Sequence, residues 1–578
     1  MKQPCPGDSS PPPQNCLHGC FSSHLLSSSD DPPPQNTAVS GLTSATLRRD
    51  FARTTVSTVF ADAIFTDPNS LPSLQESFSN FIQAFSKYSQ TYKIDRIRTD
   101  QYFHLALSNH TCLDYIGIGL YSYSQLLNYD PASYQIPSSL SESPFFSVSP
   151  TVGNLKERLL HDGGQETEFE CAMKKRIMGF LKISEDDYSM VFTVNRTSAF
   201  RLVAESYPFQ SNRRVLSVYD YESEAVDEMN RVSEKRGAKV SAAEFSWPRL
   251  RICSSKLRKM VTSGKKGSKK KGIFVFPLHS RVTGSRYPYL WLSVAQENGW
   301  HVMIDACALG PKDMDSFGLS IYHPDFMVCS FYKVFGENPS GFGCLFVKKS
   351  TVQVLESSTS SGMINLVAMN NPFSLPTSEM NRVLPESDET DSWRSFESIE
   401  CRCLDHIDSL GLVMTSNRSR CLINWLASAL LKLKHPKTVG GDSSSNSEKR
   451  LVKIYGPKVN FNRGPALAFD LFDQKGGRIE PLIVQKLAEH SSISLGLGFL
   501  RNIWFGEEYE DVKESVLEKR RNKTDPGVSV VTIALGFLAN FEDVYRFWSF
   551  VGRFLDSEFV EKERCRYGVL EHKSREVL

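Results

Sequence analysis

The segment DFMVCSFYKVFGENPSGFGCLFVKKS, residues 325–350, contains the clearest indication of the fold. An apolar run over 326–331 predicts a buried strand, a Gly-rich turn follows, and the apolar run 342–349 predicts a second strand. Similar runs precede this segment about 25 residues apart, with helix-like stretches between them, which is typical of βαβ units. These runs are MVFTV (190–194), RVLSVYD (214–220), GIFVFPL (272–278) and HVMIDA (301–306). We therefore predict an α/β fold, with a large domain built on a mainly parallel sheet and a smaller α/β lobe in the C-terminal part.

The chain has 578 residues, which is more than a single hydrophobic core usually supports. Its composition changes along the sequence, which indicates several structural regions. We predict a disordered N-terminus (1–40), a helical segment (41–111), a large domain (112–350, of which 112–122 can join the small lobe) and a smaller C-terminal lobe (351–578) with a flexible insertion (435–450).

Charge and cysteine content limit the class of protein. The formal net charge of +2 argues against a dedicated nucleic-acid partner. The sequence contains no run of about 18 apolar residues, so we expect no membrane span. The 13 cysteines are scattered, so we expect a protein of a reducing compartment, which is the cytoplasm or, as an open alternative, a plastid. The cysteines also lack the paired spacing of zinc ligands, so we expect no metal site. The Lys-rich segment 265–272 predicts a solvated loop or, alternatively, a phosphate or nucleic-acid patch.

A lysine and an aspartate at the ends of two predicted strands indicate a cofactor. Lys333 ends the strand that contains Ser330 and Tyr332, and Asp305 ends the strand before it. Pyridoxal phosphate (PLP) requires a lysine for its Schiff base and a carboxylate beside its pyridine nitrogen. The alternatives are a lysine that extends to solvent and an aspartate that only caps a helix.

A third feature is FTVNRTSAFRLVAES, residues 192–206, in which a strand ends and a helix begins at about Ser198. Backbone N–H groups at a helix N-terminus bind phosphate, and Arg196, Thr197 and Ser198 would add a charge and two hydroxyls. The alternative is an ordinary polar helix cap.

With these features the chain resembles the class V aminotransferase family of fold-type I PLP-dependent transferases, and within it the cysteine-desulfurase-like domain of the molybdenum cofactor sulfurases. It also looks like a plant group that lacks the sulfurases' C-terminal domain. The matching blocks are CLDYIGIGLYS (112–122), FTVNRTSAFRLVAESYPF (192–209), VYDYESEAV (218–226), FPLHSRVTGSRYPY (276–289), HVMIDACALGPKDMDSFG (301–318), PDFMVCSFYKVFGENPSGFGCLFV (324–347), SISLGLGFLRNIWF (492–505) and ALGFLANFEDVYRF (534–547).

The resemblance implies a PLP cofactor, a small amino substrate, a homodimer and a set of site residues. Lys333 matches the catalytic Schiff-base lysine, and Asp305 matches the carboxylate beside the pyridine nitrogen. The other matching positions are Ser330 and Tyr332 at the phosphate, Arg196 and Thr197 in the first phosphate loop with Ser198 beside them, Tyr221 where the family has a ring-stacking histidine, and Arg281 where the family has an asparagine near the cofactor's phenolic oxygen.

Departures from the family pattern bear on the reaction. The phosphate loop reads Asn195-Arg196 where the family has glycine, Thr532 stands near the position of the substrate-binding arginine, and the stretch 494–502, where the family carries its sulfur-accepting cysteine, has none. An ordinary cysteine desulfurase is therefore not expected, because the thiolate is the nucleophile. Three hypotheses stay open: a PLP-dependent transferase or lyase of altered specificity, a non-catalytic binding or regulatory protein, and a sulfurase that uses Cys307 or Cys344.

Overall fold

The computed structural model describes residues 44–576 except for 62, 108, 115–116, 128–145, 161–165, 264–271, 308–321, 335–340, 369–398, 437–449 and 519–525. The predicted disordered N-terminus, almost all of the Lys-rich segment and most of the predicted flexible insertion lie outside the described residues. In the part of the chain that is described, no helix is long and apolar enough to cross a membrane.

Nineteen strands are described. They are β1 (Thr111–Cys112), β2 (Ile118–Tyr121), β3 (Phe146–Asn154), β4 (Tyr188–Thr193), β5 (Arg214–Ser217), β6 (Lys239–Ala242), β7 (Phe245–Ser246), β8 (Arg251–Ile252), β9 (Gly272–Pro277), β10 (Trp300–Asp305), β11 (Phe326–Val334), β12 (Gly341–Lys348), β13 (Thr359–Ala368), β14 (Val452–Tyr455), β15 (Ala466–Leu471), β16 (Ile493–Ser494), β17 (Gly496–Leu500), β18 (Ile503–Trp504) and β19 (Val528–Ala534).

The α-helices surround these strands. They are α1 (Ser44–Thr58), α2 (Leu74–Ala84), α3 (Tyr92–Gln101), α4 (His104–Leu107), α5 (Tyr123–Leu127), α6 (Leu155–Leu160), α7 (Glu168–Leu181), α8 (Arg196–Ser206), α9 (Glu224–Lys235), α10 (Ser254–Thr262), α11 (Leu290–Glu297), α12 (Lys349–Val352), α13 (Arg402–Leu430), α14 (Pro481–His490), α15 (Glu510–Val516), α16 (Phe541–Gly552) and α17 (Ser557–Glu576).

Ten strands form the large sheet in the order β3-β13-β4-β12-β11-β10-β9-β5-β6, with β2 also paired to β11. Strands β12 and β13 run antiparallel to the direction of the other eight strands. The predicted mainly parallel sheet is therefore confirmed, with an antiparallel part at one side. The central strands β4, β5, β9, β10, β11 and β12 cover the apolar runs that the sequence singled out, because these strands are buried on both faces and read as continuous apolar runs.

The smaller lobe contains a four-stranded antiparallel sheet in the order β14-β15-β19-β17. Its apolar core is separate from that of the large domain and includes residues from the N-terminal helical segment, among them Phe60, Phe81 and Tyr88. The first part of the helical segment thus packs with the C-terminal lobe, whereas Ile94, Tyr102 and Leu105 further along it are buried in the large domain's core. The apolar faces of the first part have a partner because Trp425 and Trp548 of the C-terminal lobe lie against them.

The boundary between the two lobes divides the segment 112–122, which the sequence left open, and differs from the sequence prediction at β13. Within 112–122, β1 pairs with β16 on the C-terminal side, whereas β2 pairs with β11 in the large sheet. Strand β13 lies beyond residue 350 and yet joins the large sheet, because its apolar residues Met363, Ile364 and Leu366 are buried in the large domain's core. The chain therefore crosses between the lobes more than once.

Candidate functional site

Five strands of the large sheet bring their following loops to one edge. Strands β4, β5, β9, β10 and β11 run in the same direction, so their carboxyl ends meet there. All of the site residues predicted from the sequence lie at these ends, in the loops after them or in the first turn of the following helix. We refer to this edge as the crevice.

The carboxylate of Asp305, at the end of β10, is bound by an arginine of the same chain. Arg196 donates from Nη2 to Asp305 Oδ2 at 2.5 Å, and the Tyr219 hydroxyl donates to the same oxygen at 2.9 Å. The backbone N–H of Cys307 donates to Oδ1 at 3.1 Å. Burial alone would raise the pKa of Asp305, but the Arg196 charge and these hydrogen bonds hold the pKa below its usual value.

Arg196 is the first residue of α8, and the helix cap directs it inwards. Asn195 caps the helix, its side chain accepting from the N–H of Ser198 at 2.8 Å. Arg196 also donates to the Ser223 hydroxyl at 3.0 Å. Burial would lower the pKa of the guanidinium, but the charge of Asp305 raises the pKa well above its usual value, so Arg196 stays charged. The residue that the sequence placed at the phosphate end therefore lies against Asp305 instead.

Thr197 and Ser198 follow in the first turn of α8, where both are half-buried. Gly362 of β13 packs over this turn: a Cβ placed on it would lie 3.1 Å from Cβ of Ser198, and its positive φ of 113° suits glycine. The helix N-terminus thus has two hydroxyls beside its free N–H groups, as predicted, but part of it is covered by β13.

Lys333 lies near the end of β11, half-buried, and faces the first residue of β3. Its Nζ donates to the carbonyl of Phe146 at 3.3 Å and lies 4.7 Å from the centroid of that ring. Burial lowers the pKa of the amine. Lys333 and Asp305 lie near the carboxyl ends of the neighbouring strands β11 and β10, and within the described residues no hydrogen bond or ion pair joins them directly.

Ser330 and Tyr332 alternate with Lys333 on β11 and face the crevice. The Ser330 hydroxyl donates to Cys307 Sγ at 3.2 Å, and a Cβ on Gly117 would overlap the Tyr332 ring, so that ring lies directly on the backbone before β2. Both side chains are half-buried. Burial raises the pKa of the Cys307 thiol to about 12 and that of Cys344 well above its usual value, so both are thiols at neutral pH.

Tyr221 lies in the loop after β5, and its backbone forms a bridge with Leu500 of β17. Its side chain is only 3% exposed, and its hydroxyl is buried with no hydrogen-bond partner among the described residues. Its ring makes an edge contact with Tyr219, with centroids 5.5 Å apart. The two aromatic residues together form one wall of the crevice.

Arg281 lies on a turn after β9 that a buried carboxylate holds in place. Asp220 accepts from the hydroxyls of Ser280 at 2.7 Å and Thr283 at 2.8 Å. Burial raises the pKa of Asp220 in spite of these hydrogen bonds. Arg281 is half-buried, and its charge partly opposes the burial that raises the pKa of the Tyr221 hydroxyl and of the Cys307 thiol.

The C-terminal lobe covers one side of the crevice. The backbone N–H of Glu222 donates to the carbonyl of Phe499 at 2.7 Å, and Arg501 pairs with Asp227 of α9 at 2.5 Å. These contacts come from the stretch 494–502, which has no cysteine. Thr532 is opposite Gly496 in the lobe's sheet, and its hydroxyl would lie 2.6 Å from a Cβ there.

The residues at the crevice do not fit a pyridinium ring in this arrangement. Both oxygens of Asp305 have donors, and a ring N–H would have to share the carboxylate with the guanidinium of Arg196 or displace it. A protonated ring would also stand beside that permanent positive charge, which is unfavourable. The amine of Lys333 would have to leave the Phe146 carbonyl.

Two contributors to the site were missed from the sequence, Tyr219 and Asp220. Tyr219 is two residues before Tyr221, and side chains alternate along an extended chain, so a tyrosine predicted at the crevice signals a second one beside it. Asp220 gave no such signal, because its partners Ser280 and Thr283 are 60 and 63 residues away.

Comparison with known proteins places this geometry in a family. The family model described as aminotransferase class-V matches residues 141–449, which is more than half of the chain. The chain is 22% identical over 480 residues to molybdenum cofactor sulfurase of Bos taurus and 24% identical over 519 residues to that of Oryza sativa subsp. japonica. These alignments cover 77% and 81% of this chain but 50% and 58% of the relatives, so the chain spans little more than half of their length.

Two solved structures align with most of this chain at low sequence identity. An apo cysteine desulfurase from Thermococcus onnurineus NA1 aligns with a TM-score of 0.49 and 15% identity, covering 81% of this chain and 98% of that one. The cysteine desulfurase CsdA from Escherichia coli aligns with a TM-score of 0.48 and 15% identity, covering 80% and 98%. The architecture is that of fold-type I PLP-dependent transferases, and the chain belongs to the class V aminotransferase family.

Proposed function

We propose that this chain is a binding or regulatory member of the class V aminotransferase family that works without PLP. The observation that carries the proposal is the contact between Arg196 and Asp305. A PLP enzyme uses that carboxylate to keep the pyridine nitrogen protonated and the ring an electron sink. Here the carboxylate already has a cation, whose side chain is largely buried and stays charged.

The chemistry of sulfur transfer has no support in this crevice. The stretch 494–502 lies beside the crevice and offers no thiol. Cys307 is buried within it, but its pKa of about 12 leaves almost no thiolate at neutral pH. The molybdenum cofactor sulfurases named above are therefore relatives in fold, and we do not assign their activity to this chain.

A second candidate is a PLP-dependent transferase or lyase of altered specificity, and the state of Lys333 favours it. Burial lowers the pKa of its amine, which raises the fraction of neutral, nucleophilic lysine. This candidate requires Arg196 to leave Asp305 and Lys333 to leave Phe146 when the cofactor enters. The resemblance also implies a homodimer, which we keep as a proposal for light scattering to test.

The experiment adds PLP to the purified full chain, records the visible spectrum, reduces with borohydride and maps the modified peptide. We expect no modified Lys333 in the wild-type protein. Arg196→Ala frees Asp305 and should increase labelling of Lys333. Arg201→Ala is the matched control, because Arg201 lies on the same helix but pairs with Glu205 on its exposed side. Stoichiometric labelling of Lys333 in the wild-type protein would overturn the proposal in favour of the enzyme.

A further inference from the structure

Basic residues are concentrated at the edge of the large sheet opposite the crevice, where the parallel strands β5, β6 and β9 begin. The sequence from 249 to 271, which leads into β9, contains ten lysines and arginines and no aspartate or glutamate, although the net charge of the whole chain is only +2. A local excess of one charge indicates a polyanionic partner even where the net charge of the chain is small. Helix α10 lies within this stretch and ends at the edge of the sheet.

Four exposed cations on three neighbouring elements form what we call the basic surface: Arg213, Lys239, Arg258 and Lys259. Direct contacts hold these elements together. The backbone N–H of Lys239, the first residue of β6, donates to the carbonyl of Arg213, just before β5, at 2.7 Å. The guanidinium of Arg214 donates to two carbonyls at the end of α10, that of Met260 at 3.2 Å and that of Ser263 at 2.7 Å.

The fold itself does not use these four charges. A cation near a helix C-terminus often binds the last carbonyls, but at α10 that role belongs to Arg214, which also lies 4.9 Å over the ring of Trp300. Within the described residues none of the four pairs with a carboxylate, whereas other exposed cations such as Arg231 and Lys475 do. Like charges on neighbouring elements repel one another, and a bound polyanion would offset that repulsion.

Acidic residues near the basic surface are few. The last turns of α9 and α11, which lead into β6 and β10, contain the exposed carboxylates of Glu234 and Glu297, and Glu234 is followed by the exposed Lys235. Glu244, on the chain between β6 and α10, pairs with Lys256 at 2.5 Å. The described part of this edge therefore keeps an excess of positive charge.

The neighbouring apolar side chains indicate which class of polyanion fits. Leu257 and Val261 of α10 are buried, so this helix has no free apolar face to insert into a bilayer. Among the described residues of α10, β5 and β6 no large apolar side chain is exposed, whereas protein interfaces usually have an apolar or aromatic centre. Nucleic-acid phosphates, in contrast, are bound by exposed lysines and arginines without apolar contacts.

We propose that the basic surface binds the phosphodiester backbone of a nucleic acid without sequence preference. The four cations supply the charge, and the exposed hydroxyls of Thr262 and Ser263 at the end of α10 add donors for phosphate oxygens. The surface lies at the amino ends of the strands, so the proposal does not depend on whether the crevice binds PLP. The Lys-rich segment 265–272 lies almost entirely outside the described residues and is not counted in the basic surface.

Fluorescence anisotropy of the purified full chain tests the proposal. The probes are fluorescein-labelled oligo(U) and oligo(dT), each about 20 nucleotides long, at NaCl concentrations from about 50 to about 200 mM. We expect binding that weakens with salt, with a slope of log K against log [NaCl] of about −3, because each of four phosphate contacts on a single strand contributes about −0.7. The probe that binds more tightly tells RNA from DNA.

The double variant Arg258→Gln with Lys259→Gln should weaken binding about 10-fold at the lower salt concentration and make the slope shallower by about 1.4, since two phosphate contacts are lost. Lys93→Gln with Lys175→Gln is the matched control. It makes the same change in net charge at exposed positions on α3 and α7, so it should bind as the wild type does. All four positions are exposed, and circular dichroism should show an unchanged fold.

Four outcomes would overturn the inference. The first is no salt-dependent binding of either probe, and the second is an equal loss of affinity in the two double variants. The third is a loss in Lys269→Gln with Lys270→Gln and Lys271→Gln but none in Arg258→Gln with Lys259→Gln, which would assign binding to the Lys-rich segment instead. The fourth is co-sedimentation with phosphatidylcholine–phosphatidylserine vesicles by a protein that binds neither oligonucleotide, which would assign the surface to a membrane.

Discussion

Nη2 of Arg196 lies 2.5 Å from Oδ2 of Asp305, although 109 residues separate the two in the sequence. The pair joins the first turn of α8 to the end of β10, and the exposed fractions of the side chains are 13% and 1%. A cation and a carboxylate buried to this extent depend on each other, because removing either one leaves an uncompensated charge in a low-dielectric environment.

Asp305→Asn should therefore destabilise the fold strongly. Loss of one partner of a buried pair costs about 3–5 kcal/mol, and the free energy of unfolding in urea should fall by about that amount. The double variant Arg196→Met with Asp305→Asn should lose less than the sum of the two single variants, since it leaves no unpaired charge. Arg231→Gln, which breaks an exposed pair with Glu228 on α9, is the control and should change stability little. Additive losses in the double variant would contradict the pairing.

The pH dependence of stability gives a second test of the same pair. In the wild type the folded-state pKa of Asp305 is below its unfolded value of about 3.9, so the carboxylate contributes stability above that pH and loses it as the pH falls through the folded pKa. In Arg196→Met, burial without the cation should raise the pKa of Asp305 in the folded state. The protonated side chain is then tolerated in the fold at low pH, and the buried carboxylate destabilises the fold as the pH rises.

The difference in unfolding free energy between wild type and Arg196→Met should thus be largest at about pH 7.5 and should narrow by about pH 4.5. Comparing the two proteins at each pH cancels the titration of all other groups that they share. A difference that stays constant between these pH values would mean that Asp305 does not titrate against Arg196.

The fold was accessible from the sequence, because buried central strands leave long apolar runs such as GIFVFPL (272–278) and HVMIDA (301–306). The start of α8 was also predicted to within a few residues from its polar N-terminal residues. The partner of Asp305 was not, since the reach of a long side chain such as Arg196 depends on the rotamer and on packing across the sheet, which no local pattern records. Strand β13 was assigned to the wrong lobe because a strand carries no mark of the sheet that it joins.

The N-terminal helical segment should depend on Arg98 of α3 for its attachment to the C-terminal lobe. Arg98 donates to both carboxylate oxygens of Asp543, at 2.6 and 3.1 Å, and to the carbonyl of Leu538 at 2.8 Å. Arg98→Ala should lower the free energy of unfolding by about 3 kcal/mol or more and expose α3 to protease. Arg96→Ala, on the exposed face of the same helix, should have little effect. Equal effects of the two variants would show that the contact does not hold the segment.

The cysteines should react with iodoacetamide according to burial and thiolate content, which tests whether any of them can accept sulfur. In the native protein at about pH 7.5 we expect Cys565, which is exposed, to be labelled quickly. Cys307 and Cys344 should stay unlabelled, because burial raises the pKa of both thiols and iodoacetamide reacts with the thiolate.

Mass spectrometry of digested samples gives the labelled fraction at each site, and the same reaction in urea, where every thiol should react, is the control. Ser330→Ala removes the hydroxyl that donates to Cys307 and lowers the pKa of its thiol, so this variant should leave Cys307 at least as unreactive. Fast labelling of Cys307 in the native protein would show a thiolate at the crevice and would revive the hypothesis of a sulfurase that uses this residue.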